Sequence, residues 1–130
     1  MPRFRADEHI RRREEFQEIY EAGRRVSGRL MTMFVRENDR AGARLGIAAT
    51  RKIGSAVIRN RAKRLVRELF RHHKPTGGFD VVIVPRREML DASYDSLEAE
   101  FRALLDRRDE RRRPRPISAG TRRPDADPRV

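Results

Sequence analysis

Four cationic residues stand one helical turn apart in the middle of the chain: Arg59, Lys63, Arg67 and Arg71. In an α-helix a step of four residues advances about 6 Å along the axis, close to the phosphate repeat of a nucleic-acid strand. A guanidinium grips a phosphate with two N–H donors, and an ammonium acts as a point charge, so one helix face carrying this row could meet several phosphates at once. With Ile58 set at 0° and about 100° per residue, Ala62, Leu65, Val66 and Leu69 fall within about 80° of Ile58. They form an apolar stripe suited to packing on a sheet. The cationic row spans about 100° to about 220°, with Asn60 and Arg64 among or beside it. Arg61, near 300° (roughly, on the same count), sits at a boundary from which it can snorkel or reach a different phosphate. Asn60 has two readings, a polar contact to a 2′-hydroxyl or backbone group, and a helix-start cap.

The charge balance points the same way. The 130 residues include 32 Lys and Arg against 20 Asp and Glu, a formal net charge of +12. Between 51 and 71 the basic residues are Arg51, Lys52, Arg59, Arg61, Lys63, Arg64, Arg67 and Arg71, and Glu68 is the one acid. The rest of residues 1–106 is balanced, so the excess of this part lies in one segment. Solvated helices usually mix signs, because opposite charges at i,i+4 stabilise and like charges repel. A helix that accepts self-repulsion implies a polyanionic partner, and nucleic acid fits best.

Other chemistry has little support. There are no cysteines, which excludes disulfides, thiol catalysis and Cys-based zinc sites. His72 and His73 are adjacent and would point about 100° apart on a helix, a poor metal pair. No Ser/His/Asp arrangement, phosphate-cradling Gly loop or clustered carboxylate set suggests a nuclease centre in the protein itself, and no metal ligands are expected. The charged start MPRFRADEHIRRREEF has no apolar stretch able to act as a signal peptide, and no run approaches a membrane span. A cytoplasmic protein with no membrane partner and no small-molecule substrate is the expectation. Phe16 and Tyr20, four apart, share a helix face, and Phe34 projects from a strand. They are either core or a stacking platform for single-stranded nucleic acid, and spacing alone leaves both open.

The surrounding pattern predicts how these residues are positioned. Residues 1–12 read as a loose lead-in, residues 13–22 as a helix stopped by Gly23, and residues 25–36 as extended, with a break near Gly28. A turn over 38–42 leads to a strand over 44–50, and these two extended stretches are expected to pair antiparallel. Residues 58–72 make the central helix, ended by Lys74-Pro75-Thr76-Gly77-Gly78. FDVVIV is a buried strand from Phe79, and residues 91–105 are a last helix capped by Asp91 or Ser93. This order gives an α+β domain over 1–106 with one small sheet covered by helices, and the strand–helix–strand unit through 44–84 predicts two parallel strands. Residues 107–130, rich in Arg and Pro, are expected to be a disordered basic tail.

The run from Lys52 to Arg71, KIGSAVIRNRAKRLVRELFR, closely resembles the signature of the bacterial ribonuclease P protein family, with Arg59-Asn60-Arg61 as its Arg-Asn-Arg core. RLGIAATRK, FDVVIVPR and EEFQEIYEAGRR are also similar to that family, so the resemblance covers roughly residues 10–106. It implies a small two-layer α/β sandwich with a four-stranded sheet and a left-handed strand–helix–strand crossover, related to ribosomal-protein domains. It further implies a protein that does not cleave RNA itself. The partner would be a catalytic RNA that, with the substrate, holds the Mg2+ ions, and the substrate would be precursor tRNA, whose 5′ leader is removed. By the same resemblance Arg51, Lys52, Arg59, Asn60, Arg61, Lys63, Arg64 and Arg67 contact the catalytic RNA; Arg71 joins the expected RNA-binding set on its helical spacing alone. Phe16, Tyr20 and Phe34 would line the cleft for the single-stranded leader. A general RNA-binding or ribosome-associated protein of the same fold is the alternative; it accounts for the charge but not for the specific run.

Overall fold

The computed structural model describes residues 8–107. The basic Arg/Pro segment expected to be a tail lies, from residue 108 on, outside the described residues. Helix α1 (Arg13–Ala22) has no side-chain cap at Arg12, but Glu14 and Glu15 sit in its first turn, where negative charge favours the helix dipole. It stops at Gly23, whose N–H donates to the Ile19 carbonyl at 2.8 Å. A Cβ at that glycine would stand 2.5 Å from the same oxygen.

Two strands follow where the sequence reads as one interrupted stretch. β1 (Arg24–Ser27) and β2 (Met31–Glu37) form an antiparallel hairpin, with Arg25 opposite Phe34. The intervening turn is tied down from a distance: the Glu100 carboxylate accepts the backbone N–H groups of Arg29, Leu30 and Met31 at 3.0, 2.8 and 2.9 Å. β3 (Arg44–Ile47) and β4 (Phe79–Pro85) complete a four-stranded sheet of order β1-β2-β4-β3. β4 runs antiparallel to β2 and parallel to β3, the parallel pair expected of the strand–helix–strand unit.

The expected antiparallel pairing of residues 25–36 with 44–50 is therefore wrong, because β4 inserts between the two. The physical reason lies in composition. Val81, Val82, Ile83 and Val84 are apolar on both faces and at most 3% exposed, which suits a central strand. β3 is short and takes the edge, where the Ile10 N–H donates to the Leu45 carbonyl at 2.8 Å and His9 forms a parallel bridge to Leu45.

Between β3 and the central helix, Arg51–Ile53 makes a 3-10 turn capped by Thr50, and Gly54 adopts φ 144, open to glycine. α2 (Ala56–His73) starts at Ser55, whose hydroxyl accepts the Ile58 N–H at 3.4 Å. A second 3-10 turn (Arg87–Asp91) precedes α3 (Tyr94–Arg107). Ser93, not Asp91, holds the start of α3: its hydroxyl accepts the Ser96 N–H at 3.1 Å.

Alternation along the strands divides the core. Met31, Met33, Val35, Leu45, Val81 and Ile83 meet the apolar sides of α2 and α3, and this sandwich is the main core. Phe34, Val82 and Val84 point to the opposite face, where Ile19 of α1 and Ile10 cover them. A salt-bridge cluster closes the β2–β4–β3 end of that second face. Asp80, fully buried, accepts from Arg44 at 2.9 and 3.0 Å, from Asn38 at 2.7 Å and from Arg36 at 3.3 Å. Burial alone would raise the Asp80 pKa, but the hydrogen bonds from Arg44 and Asn38 outweigh it and hold the carboxyl below its ordinary value.

Candidate nucleic-acid interface

The helix meets the sheet with most of the side predicted. Ala62, Val66 and Leu69 are fully buried, and Ile58 and Leu65 are partly so. Phe70, near 120° (about, on the same count), is also fully buried, which places the centre of the buried face further round than the Ile58 stripe. As a result Arg59 and Lys63 lie at the flank, half-buried, whereas Asn60, Arg61, Arg64 and Arg67 are exposed. Arg51 and Lys52 are exposed on the 3-10 turn just before the helix.

These cations differ in what they already hold. Arg59 donates one N–H to the Gly54 carbonyl at 3.1 Å, fixing the loop that launches α2. Arg71 forks onto Glu68 with two contacts of 2.7 Å, and His72 meets the same carboxylate at 3.1 Å. The hydrogen bond from His72, then those from Arg71, keep Glu68 below the usual carboxylate range. Arg71 is thus engaged within the helix and does not continue the row as freely as its spacing suggested. Among the described residues, no carboxylate forms an ion pair with Arg51, Lys52, Arg59, Arg61, Lys63, Arg64 or Arg67. Asn60 is not a helix cap, since Ser55 holds that position; its amide is free to meet a ligand.

The aromatic residues sit on the other side of the sheet. Tyr20 packs edge-on against Phe34 with ring centroids 4.9 Å apart, and Phe16 lies 6.3 Å from Tyr20. Phe34 is only 3% exposed, so it is the floor under Tyr20, while Phe16 and Tyr20 keep a partly open edge. Burial pushes the Tyr20 hydroxyl up from its ordinary pKa. Gly46 makes room for Phe16: a Cβ there would come within 2.9 Å of the Phe16 ring.

At the β3 edge the two sides converge. A cavity of about 370 Å³ is lined by His9, Ile10, Arg11, Phe16, Leu45, Ile47, Lys63 and Arg67. One aromatic ring and two unpaired helix cations therefore face a common space. His9 and Arg11 were not foreseen, because the lead-in reads as loose; the one available signal was Ile10, an isolated apolar residue that turns out to be 4% exposed. Burial, and then the nearby charges of Arg11 and Arg67, lower the His9 pKa. Among the described residues no group of three or more His, Asp or Glu is placed to hold a metal ion, and no helix is long and apolar enough to cross a membrane.

A small α+β domain whose central helix presents the cations from Arg59 to Arg67 without carboxylate partners among the described residues is a nucleic-acid-binding protein in its physical design. The Ribonuclease P family model matches residues 4–109, and the chain belongs to that family. It is 40% identical over 100 residues to the ribonuclease P protein component of Syntrophus aciditrophicus, covering 75% of this chain and 84% of the relative. To that of Alkaliphilus oremlandii it is 32% identical over 103 residues, covering 78% and 90%. Among solved structures, the RNase P protein from Thermotoga maritima superposes with a TM-score of 0.70 at 33% identity, covering 77% of this chain and 96% of that one. The Staphylococcus aureus RNase P protein gives 0.69 at 30% identity, covering 76% and 93%. The role that follows is that of the protein subunit of ribonuclease P, working with an RNA subunit in an endoribonuclease complex of tRNA processing.

Proposed function

We propose that the exposed face of α2 and the turn before it bind the RNA subunit, and that the aromatic edge of α1 receives the 5′ leader of precursor tRNA. Arg51, Lys52, Arg61, Arg64 and Arg67 neutralise phosphates. Arg59 and Lys63 do so from the flank, and Asn60 supplies a neutral donor–acceptor pair. Arg71 contributes less because Glu68 already holds it. Phe16 and Tyr20 offer ring edges and faces to unpaired bases, and Phe34 fixes Tyr20 from below. The RNA carries the catalytic groups and, with the substrate, the Mg2+ ions, and the complex works in the cytoplasm. The observation that carries this reading is the run of α2 cations without carboxylate partners, two of which share a cavity with Phe16.

The test is assembly. Changing Lys63, Arg64 and Arg67 together to Glu should leave the fold intact by circular dichroism and abolish complex formation with the RNA at moderate salt. A folded triple variant that still assembles would refute the assignment. Equal binding of precursor and mature tRNA by the assembled wild-type complex would instead favour a general RNA-binding role.

A further inference from the structure

Val57 is 77% exposed, the one large hydrophobic side chain so exposed among the described residues. It is the second residue of α2, and Arg61, Arg64 and Leu65 follow at i+4, i+7 and i+8, on the same side of the helix. Arg61, Arg64 and Leu65 line a cavity of about 420 Å³ together with Glu68. That carboxylate is already occupied by Arg71 and His72. The strip lies around the helix from Lys63 and Arg67, which open onto the Phe16 cavity instead. α2 therefore offers two separate surfaces, and on this one an exposed apolar side chain of the helix itself stands beside unpaired guanidiniums.

Phosphate binding does not call for Val57. A nucleic-acid duplex would meet this strip only with its backbone, because stacked bases hide their faces and A-form RNA presents a deep, narrow groove. An unpaired nucleotide offers what the strip lacks: a flat apolar face with a phosphate on either side. We propose that the Val57–Leu65 strip seats one unpaired nucleotide of the RNA subunit, its base against Val57 and the methylene stem of Arg61, its flanking phosphates on Arg61 and Arg64. This rests on the reading that α2 binds that RNA, and deepens it from charge neutralisation to recognition of an unstacked base.

The experiment compares Val57→Thr, Val57→Ser and Arg64→Gln in the full chain, measuring melting temperature, equilibrium binding to RNase P RNA over a salt series, and precursor tRNA binding by the assembled complex. Threonine keeps the branched shape and removes one methyl in favour of a hydroxyl. Both Val57 variants should melt as the wild type does. Val57→Ser should bind about fivefold more weakly, from the loss of buried apolar surface, with an unchanged dependence on salt. Arg64→Gln should flatten that dependence, because it removes a phosphate contact. Wild-type affinity in both Val57 variants would overturn the inference and leave the α2 reading standing. A matching loss of melting temperature would also overturn it, by making Val57 a fold residue. Weakening confined to precursor tRNA would reassign the nucleotide away from the RNA subunit. A wild-type chain that fails to bind the RNA would remove the underlying reading as well.

Discussion

Arg44 and Arg64 carry the same guanidinium into opposite surroundings. Arg44 is 7% exposed, with its Nε and Nη2 on Asp80 and its Nη1 on Glu15 at 3.2 Å. Arg64 stands in solvent on α2, without a carboxylate partner among the described residues. The two regions show how a chain with 32 basic residues separates their tasks. Where an arginine serves the fold, carboxylates are placed around it, as Asp80, Glu15 and Glu18 are around Arg44 and Arg36. Along the exposed side of α2 the acids are sparse, and the first turn contains none, in contrast to Glu14 and Glu15 in α1. The distinction is one of partners, not of residue type.

The sharpest way to break this comparison is to remove the acid from the first region. Asp80→Ala leaves Arg44 buried without its main partner, and should cost about 3–5 kcal/mol of stability in urea denaturation. Because the folded pKa of Asp80 is depressed, its contribution is fully present above the unfolded carboxyl value of about 3.9. It is lost as pH falls through the lower folded value. Wild-type stability should therefore drop in that acid window, and Asp80→Asn should show a shallower drop. Equal pH profiles would show that the cluster does not hold Asp80 ionised.

The aromatic pair, on the same face of the sheet as Asp80 and across it from α2, sharpens the contrast. Phe34→Ala empties a buried site and should cost about 3–5 kcal/mol. Tyr20→Ala, at a half-exposed position, should cost less stability and should weaken precursor tRNA binding more than mature tRNA binding. Equal weakening of both substrates would return Tyr20 to a purely structural role. Arg64→Gln should then change stability by less than about 0.5 kcal/mol, as expected of a surface site. Its effect should appear in RNA binding, where the salt slope falls by about 0.7 to 0.9 per lost phosphate contact. A stability loss at Arg64 comparable to that at Asp80 would erase the distinction between the regions.

Much of this arrangement was legible in residue order. The 3.6-residue period separated Ala62, Val66 and Leu69 from Asn60, Arg64 and Arg67, and Gly23 marked the end of α1, because these signals are local. Strand order was not legible in the same way. Pairing residues 25–36 with 44–50 follows sequence proximity, whereas the sheet follows burial, which puts the all-apolar β4 in the middle. Phe34 illustrates a second limit. Alternation along β2 placed it on a face, but only the packing of Tyr20 over it shows that its ring is covered. The cavity shared by His9, Phe16 and Arg67 needed the N-terminal segment to add onto the β3 edge, a contact that no local pattern encodes.

Glu68 is the exception inside the second region and supplies its finest test. It is the single acid among the α2 cations, and its i+3 and i+4 positions hold Arg71 and His72, a pairing the sequence spacing already allowed. If acids are withheld from α2 so that RNA can take their place, then Glu68 locally restrains the interface by keeping Arg71 folded back. Glu68→Gln removes that hold without changing shape. RNA affinity should rise about twofold, with a steeper salt dependence as Arg71 joins the phosphate contacts. A double variant, Glu68→Gln with Arg71→Gln, should show neither change, which ties the gain to the released guanidinium rather than to the lost negative charge alone. If the double variant binds as tightly as Glu68→Gln, Arg71 faces no phosphate, and the cationic surface of α2 ends one turn earlier, at Arg67.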